Sequence, residues 1–314
     1  MVGMYALFLG AGFSKWAVNL PLVNELFDFN VNSFNQTDKR RIEGARLLKV
    51  AWDKEHPGAN NEQFIDYASR LPAGQRNSVF WYLGRRLAEP FVWREFHAQR
   101  WRRHVLSIDE HRKFSVGGLL RASAFLQGFV GFSMAGMITT NYDMVVEYAL
   151  GTRGFNYGVV DQELVGRGPY PVSTWQNPVR LTGKTEVAKI HGSISRDEKG
   201  YYTDGRRGIT GDALIVAPTS DKHIPETLRG TWGLAGRILE QSERLLVFGF
   251  AFNPYDQLVL ELLRSKGKTM RSVLLVDIEP NLGAATRLWP EASFAHCLPP
   301  PEGDNELRKW KAAL

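Results

Sequence analysis

The hydrophobic residues of this chain occur in short consecutive runs, separated by longer segments with helical periodicity. The first run, Tyr5–Leu9, is hydrophobic at every position and leads directly into a glycine-rich turn. A run without polar positions indicates a strand that is buried on both faces, as in a parallel sheet. Further runs that predict strands lie at 136–139, 187–190, 213–217, 245–248 and 273–276.

Helical segments lie between several of these runs, at 144–150, 226–241, 255–264 and 281–288. Strands and helices in alternation predict an α/β fold with a Rossmann-like, doubly wound parallel sheet. We therefore expect one α/β domain that is formed by residues 1–29 and 132–314. Residues 151–183 are rich in Gly, Pro and aromatic side chains and predict a loop over the ligand site.

Residues 30–131 have a different character, with no clear strand and a concentration of tryptophan and arginine. This region predicts a helical insertion into the α/β domain. Its helical segments are 39–49, 62–71, 78–91 and 116–129.

The composition, with 44% hydrophobic and 23% charged residues among 314, is that of a globular protein. No apolar run reaches the roughly 18 residues that a membrane helix needs, and we expect a cytoplasmic protein without membrane contact. The formal net charge of +6 leaves a nucleic acid or nucleotide partner open, although a mildly basic soluble protein is favoured. A single cysteine, Cys297, excludes an intrachain disulfide and a Cys-x-x-Cys metal site, so we expect no metal.

Ligands of a doubly wound sheet bind at the carboxyl ends of the strands, and the first candidate motif there is Gly10-Ala11-Gly12-Phe13-Ser14. Gly10 permits a tight turn, Gly12 lets a phosphate approach the backbone, and the following helix N-terminus favours a pyrophosphate. Lys15 stands where the dehydrogenase fingerprint has its third glycine. The motif predicts nucleotide binding rather than a dehydrogenase, with a purely structural turn as the alternative.

A second motif, Thr139-Thr140-Asn141-Tyr142-Asp143, ends one predicted strand and opens a helix. Its polar side chains are candidates for ligand contacts. Asp143 is equally suited to cap the N-terminus of that helix, and the sequence leaves both roles open.

Three more strand ends carry candidate residues. His191 and Gly192 follow one strand, and the glycine lets the imidazole face the crevice. Gly249 and Phe250 follow a later strand, where a glycine permits the close approach of a ligand. Asp277 ends the last predicted strand, and a carboxylate there can accept hydrogen bonds from ribose hydroxyls.

These motifs, in this order, resemble those of the sirtuin family. GAGFS resembles the family's GAG-x-S turn, TTNYD its Thr-x-Asn-x-Asp motif, KIHGS its His-Gly motif and VFGFAF its late glycine segment. More closely, GAGFSK, TTNYD and KIHGS resemble a divergent bacterial branch that hydrolyses NAD⁺ in antiviral defence. The resemblance implies a sirtuin-type catalytic domain over 1–29 and 132–314, with NAD⁺ as the substrate.

By this resemblance, Asn141 positions the ribose and the attacking water, and His191 contacts the ribose hydroxyls as a base or orienting group. Asp143 holds the carboxamide of nicotinamide. The remaining residues implied in cofactor binding are Gly10, Ala11, Gly12, Phe13, Ser14, Thr140, Gly192, Gly249, Phe250 and Asp277.

The chain departs from sirtuin deacetylases in ways that favour hydrolysis of NAD⁺ to nicotinamide and ADP-ribose. Deacetylases carry a zinc module with four cysteines, and Leu22-Val23 stand where the family has Phe-Arg. One alternative is an ADP-ribosyltransferase or deacylase that uses the same site. Another is a non-catalytic nucleotide-sensing module in a nucleic-acid-associated complex, supported by the basic stretch at 94–113, which is by default a solvated helix face.

An unregulated NAD⁺ hydrolase would deplete its own cell, so the resemblance implies a gated defence effector. The helical insertion is the predicted interface for a homo-oligomer or a partner, because Trp and Arg are favoured at protein interfaces. The resemblance suggests partners such as a HerA-like DNA-translocating ATPase or an Argonaute-like protein.

Overall fold

The computed structural model describes residues 4–29, 36–100, 116–129, 133–143, 145–150, 186–197, 213–216, 224 and 226–312. Within these ranges the strands are β1 (Tyr5–Leu9), β2 (Met134–Thr139), β3 (Val187–Lys189), β4 (Gly192–Asp197), β5 (Ala213–Ile215), β6 (Arg244–Phe248), β7 (Ser272–Val276) and β8 (Ser293–Cys297). The helices are α1 (Ala11–Val18), α2 (Gln36–Glu55), α3 (Asn61–Ser69), α4 (Ala73–Arg100), α5 (Val116–Gln127), α6 (Val145–Leu150), α7 (Arg229–Glu240), α8 (Gln257–Lys266), α9 (Leu282–Leu288) and α10 (Asp304–Ala312).

Six strands form a parallel sheet in the order β3-β2-β1-β6-β7-β8. The strand β1 pairs with β2 on one side and with β6 on the other, in parallel in both cases. The strand order therefore reverses at β1, and a crevice opens at the carboxyl ends of β1 and β6, where doubly wound folds bind their ligands. The Rossmann-like α/β sheet predicted from the sequence is confirmed.

The apolar sequence of β1 reflects helices on both faces of the sheet. Every residue of this strand is buried. Tyr5, Leu7 and Leu9 belong to a hydrophobic cluster with α1, α5, α6 and α10. Ala6 and Phe8 belong to a second cluster, which contains α7, α8 and α9. Side chains alternate between the faces of a strand, so a strand covered on both faces needs apolar residues at every position.

The prediction that residues 213–217 join the main sheet is wrong. The strand β5 pairs antiparallel with β4, and the two form a separate two-stranded sheet. The amide of Val216 donates to the carbonyl of His191 at 2.9 Å. This bond holds the segment beside the chain that leaves the end of β3, so β5 pairs with β4 rather than extending the main sheet.

The helices α2, α3 and α4 form a third hydrophobic cluster together with Leu26. The helix α5 also lies in the predicted insertion, but its Ala122 and Leu126 pack in the cluster on the main sheet. The packing thus separates α2–α4 from α5, and the division of the chain into domains stays a prediction.

Two predicted features lie outside the described residues: the loop at 151–183 and, in the basic stretch at 94–113, every residue after Arg100. Among the helices of the described ranges, we find none with the length and apolarity to span a bilayer.

Candidate active site

The turns that follow β1 and β6 pack against each other through their glycines. The Gly12 amide donates to the Gly249 carbonyl oxygen at 2.9 Å. A Cβ on Gly12 would lie 2.6 Å from the Gly249 Cα, and Gly249 itself has a φ of 62° in the left-handed region. The small size and the amide of Gly12 serve the contact between the two turns, and the approach of a phosphate to this residue stays a prediction. Ala11 is exposed at this edge of the sheet.

Asn141 ties the end of β2 to the turn after β1. Its Nδ2 donates to the Gly10 carbonyl at 2.8 Å and to the Ser14 hydroxyl at 2.9 Å. A carbonyl oxygen can only accept, so the NH₂ of the amide must face Gly10 and the Oδ1 points elsewhere. None of the hydrogen bonds found in the described part of the chain involves this Oδ1. The buried Asn141 therefore presents an oriented acceptor beside the Gly10–Ser14 turn.

Asp143 makes the capping bond that the sequence analysis left open. Its Oδ1 accepts from the Val145 amide at 2.8 Å, at the start of α6. The ammonium of Lys189, on β3, donates to the main-chain carbonyl of Asp143. Burial raises the pKa of the Asp143 carboxyl above its ordinary value, while Lys189, the Val145 amide and Ser14 oppose this shift. A second role toward nicotinamide stays a prediction.

His191 is buried at the end of β3 and lies next to a buried carboxylate. Its Nε2 is 3.3 Å from Oδ1 of Asp256, and both side chains are over 90% buried. The contact does not have hydrogen-bond geometry, and His191 Nε2 has no hydrogen-bond partner among the described residues. The Tyr142 ring lies near the imidazole, with 6.1 Å between ring centroids and 29° between planes. Gly192 has a φ of 86°, which turns the chain away after the histidine.

Asp256, Lys189 and Tyr142 were missed as candidate residues. Asp256 immediately precedes α8 and lies near the start of the helical segment predicted at 255–264, where a carboxylate is typical of a helix N-terminus. Lys189 is the last residue of β3, lies inside the apolar run predicted at 187–190 and is 7% exposed. A charged residue in the middle of such a run was the available signal, because buried lysines occur almost only with a partner.

The remaining predicted residues take part in core packing or in local hydrogen bonds. The Phe13 ring is fully buried and packs 5.3 Å from the Phe248 ring, centroid to centroid. Phe250 packs against Phe8 at 4.8 Å. Thr140 is half-buried, and its amide donates to the Leu9 carbonyl. Asp277 lies half-buried at the end of β7.

Asp277 accepts a hydrogen bond from the Glu279 amide at 3.2 Å, so its carboxylate shapes the turn after β7. The structure thus joins Ser14, Asn141 and Gly10 by hydrogen bonds and pairs His191 with Asp256. It leaves Asp277 in a neighbouring turn. Within the ranges that the structure describes, no group of three or more His, Cys, Asp or Glu side chains could hold a metal ion.

The helices α2–α4 contact the surroundings of the site through Glu62 and through the packing of Tyr142. The Asn253 side chain, in the turn between β6 and α8, donates to the Glu62 carboxylate on α3. Tyr142 packs against the cluster of α2–α4, and its hydroxyl donates to the Val216 carbonyl at 2.9 Å. Burial, with Asp256 and Glu62 nearby, raises the pKa of the Tyr142 phenol well above its ordinary value. The phenol therefore stays protonated in the physiological range.

Residues 135–272 match the family model of the SIR2-like domain. The matched segment is somewhat less than half of the chain and contains Asn141, Asp143, His191 and Asp256, but not the Gly10–Ser14 turn. No curated protein matches the chain.

Similar solved structures include a Sir2 homologue–NAD complex, at 16% identity and a TM-score of 0.42, covering 99% of this chain and 91% of that one. A structure on the mechanism and regulation of Sir2 enzymes aligns at 12% identity and a TM-score of 0.41, covering 98% and 91%. A mutant Sir2 homologue in complex with ADP-ribose aligns at 15% identity and a TM-score of 0.40, covering 98% and 93%. The architecture described above rests on the strand order and pairing of this chain itself.

Proposed function

We propose that the chain is an NAD⁺ glycohydrolase that cleaves the nicotinamide–ribose bond and releases nicotinamide and ADP-ribose. The observation that carries this proposal is the Asn141 amide, fixed between Gly10 and Ser14 with its Oδ1 left as an acceptor. The match of residues 135–272 to the SIR2-like domain supports NAD⁺ as the substrate. The GAGFS and KIHGS motifs lie at the strand ends where a dinucleotide would bind.

The reaction does not require an acid to protonate the leaving group. When the bond between C1′ and the pyridinium nitrogen breaks, its electron pair returns to the cationic ring, and nicotinamide departs as a neutral molecule. A water oxygen forms the new bond to C1′, and the water loses one proton. The protein has to orient the ribose, stabilise an oxocarbenium-like transition state and direct the water.

In this proposal Asn141 Oδ1 accepts a hydrogen bond from the water or a ribose hydroxyl. His191 takes up the proton directly or through a ribose hydroxyl, and Asp256 holds the imidazole and stabilises its positive charge at 3.3 Å. Hydrogen bonds of this kind are often long without substrate and tighten in the reactive complex. The Asp143 carboxyl, already part of the α6 cap, faces the carboxamide of nicotinamide.

The other half of the dinucleotide is assigned to the paired glycine turns. The backbone from Gly10 to Ser14 lies near the pyrophosphate, and the segment at Gly249 and Phe250 lies near the adenosine ribose. Asp277 accepts hydrogen bonds from the hydroxyls of that ribose. Phe13 and Phe250 contribute backbone atoms, because their rings are used in the core.

The experiment that tests the proposal is incubation of the purified protein with NAD⁺, followed by chromatographic analysis of the products. We expect nicotinamide and free ADP-ribose in equal amounts, without added zinc and without an acylated peptide. Turnover only in the presence of an acyl-lysine peptide would indicate a deacylase. Transfer of ADP-ribose to protein would indicate a transferase, and binding without cleavage would indicate a sensing module.

We further propose, from the sequence resemblance alone, that the activity serves antiphage defence and is gated. The helical region is the proposed interface for self-association or for a partner such as a HerA-like ATPase or an Argonaute-like protein. Its contacts to the site through Glu62 and Tyr142 provide a physical route by which assembly could change the active site.

A further inference from the structure

A concave site outside the candidate active site lies in a groove between α5 and α10. It has a volume of about 520 Å³, within the range of roughly 300–1,000 Å³ that is usual for small-molecule pockets. Its aromatic surface is formed by Trp16, Phe125 and Phe129. None of the residues assigned to NAD⁺ lines this groove.

The charged residues of the groove are mainly cationic. Arg121, Arg308 and Lys311 line it, against one carboxylate, Asp304. Arg308 lies 3.9 Å from Asp304, which is a loose pair. Arg121 and Lys311 form no ion pair with a described residue, although each lies over an aromatic ring of the groove.

We propose that this groove binds a nucleoside monophosphate, with the base against the aromatic surface and the phosphate against the cations. A flat heterocycle can stack on Trp16 or Phe125. Guanidinium and ammonium groups form charge-assisted hydrogen bonds to phosphate oxygens. A wholly apolar ligand would make no use of these exposed cations, and an anion without a ring would leave the aromatic surface exposed to water.

The groove is in direct contact with the framework of the candidate active site. The Trp16 ring lies 5.1 Å from the Phe248 ring and 5.8 Å from the Phe13 ring, between centroids. Phe248 immediately precedes Gly249, and Phe13 immediately follows Gly12. A ligand that moves Trp16 would therefore act on both glycine turns, so we expect the nucleotide to change NAD⁺ turnover. This regulatory effect rests on the proposed function, whereas binding to the groove does not.

Binding is tested by titrating AMP, GMP, CMP and UMP into the purified full-length chain in a calorimeter. The variants are Lys311→Glu, which reverses one charge of the groove, and Ala124→Trp, which fills it from an exposed position of α5. Lys309→Glu is the matched control, because it makes the same change on an exposed position of α10 that does not line the groove.

We expect at least one of these nucleotides to bind the wild type. Its Kd should be at least about tenfold higher for Lys311→Glu and for Ala124→Trp. The Kd of Lys309→Glu should lie within about twofold of the wild-type value. Higher salt should weaken nucleotide binding to the wild type and to this control alike. Melting temperatures on the same samples establish that the variants are folded.

The proposal is overturned if the wild type binds none of the four nucleotides, or if both groove variants bind them as the wild type does. It is also overturned if Lys311→Glu changes the molar mass in light scattering while nucleotide binding is unaltered, which would identify a self-association surface. Loss of binding in the variants with no NAD⁺ hydrolysis in any sample would support the groove and contradict the proposed activity.

Discussion

At the residue scale, the pair of His191 and Asp256 most strongly limits how a proton can be transferred in the proposed reaction. Both side chains are almost completely buried, and 3.3 Å separates Nε2 from Oδ1. A carboxylate at this distance can fix the orientation of an imidazole and stabilise its protonated form. Asp277, half-buried at the next strand end, is expected to bind substrate without taking part in proton transfer.

We therefore predict that Asp256→Asn lowers kcat by about tenfold or more, because it removes the charge that supports proton transfer. The KM for NAD⁺ should change by less than about threefold. Asp277→Asn should show the reverse pattern, a KM raised by up to about tenfold at nearly unchanged kcat. Steady-state kinetics on both variants give the comparison, and an unchanged kcat in Asp256→Asn would contradict the role of the pair.

Cys297 should be chemically inert in the folded protein. Burial raises the pKa of its thiol to about 11, with a smaller contribution from Glu306. The folded pKa lies above the unfolded one, so the thiol's contribution to stability is complete below the unfolded pKa and is lost as the pH rises through about 11. We expect negligible reaction with a disulfide reagent at pH 8, and rapid reaction in denaturant. Fast modification of the native protein would contradict this.

At the scale of elements, the contact between the turns after β1 and β6 leaves no room for a side chain on either glycine. A Cβ on Gly249 would lie 2.4 Å from the Gly12 Cα, and the residue has a left-handed φ. Gly58 also has a positive φ, of 85°, but a Cβ there would meet nothing within 4 Å. The two positions thus share a backbone requirement and differ in packing.

Gly58→Ala should lower the free energy of unfolding by about 1–2 kcal/mol, the cost of a left-handed conformation for an L-residue. Gly249→Ala should cost about 3 kcal/mol or more, because overpacking adds to the same strain. Urea denaturation of both variants measures the difference. Equal losses of unfolding free energy in the two variants would show that the turns after β1 and β6 can move apart without cost.

The sequence predicted the elements that have an unambiguous pattern. The strand β1 has the predicted bounds, and β2, β6 and β7 were placed correctly apart from their first residues, because buried parallel strands are apolar throughout. The strand β8 was missed, since at this sheet edge Ser293, Ala295 and His296 are exposed and the apolar run is lost. Its neighbour α10 was also missed.

The site was predictable where residues are close in sequence and not where the fold brings them together. The Gly10–Ser14 turn, Asn141 and His191 were identified from their places after strands. The bond of Asn141 to Gly10 spans 131 residues, and the contact of His191 with Asp256 joins the end of β3 to the residue before α8. Such pairs depend on strand order, which the pattern of apolar residues does not specify.

At the scale of the whole molecule, the helical insertion predicted at 30–131 is the predicted site of control. We expect the protein to self-associate, and its NAD⁺ turnover per chain to depend on concentration or on a partner. Size exclusion with light scattering, with activity measured across the fractions, is the test. A strict monomer with full turnover at every concentration and no response to any partner would contradict the gating proposal.

The central claim, hydrolysis of NAD⁺ at the edge that Asn141 and His191 occupy, is tested most directly by the turnover of Asn141→Ala. The substitution removes the Asn141 amide and its two buried hydrogen bonds to Gly10 and Ser14, which should lower the free energy of unfolding by about 1–3 kcal/mol. Ser242→Ala is the matched control, because it removes a buried 2.7 Å bond to Ile238 at the opposite end of the sheet. The wild type and the three variants, Asn141→Ala, Ser242→Ala and His191→Ala, are assayed well below their melting temperatures.

We predict that Asn141→Ala and His191→Ala each lose about 10²-fold or more in turnover, with Ser242→Ala fully active. Wild-type protein that leaves NAD⁺ intact, or Asn141→Ala with the specific activity of Ser242→Ala, would contradict the account.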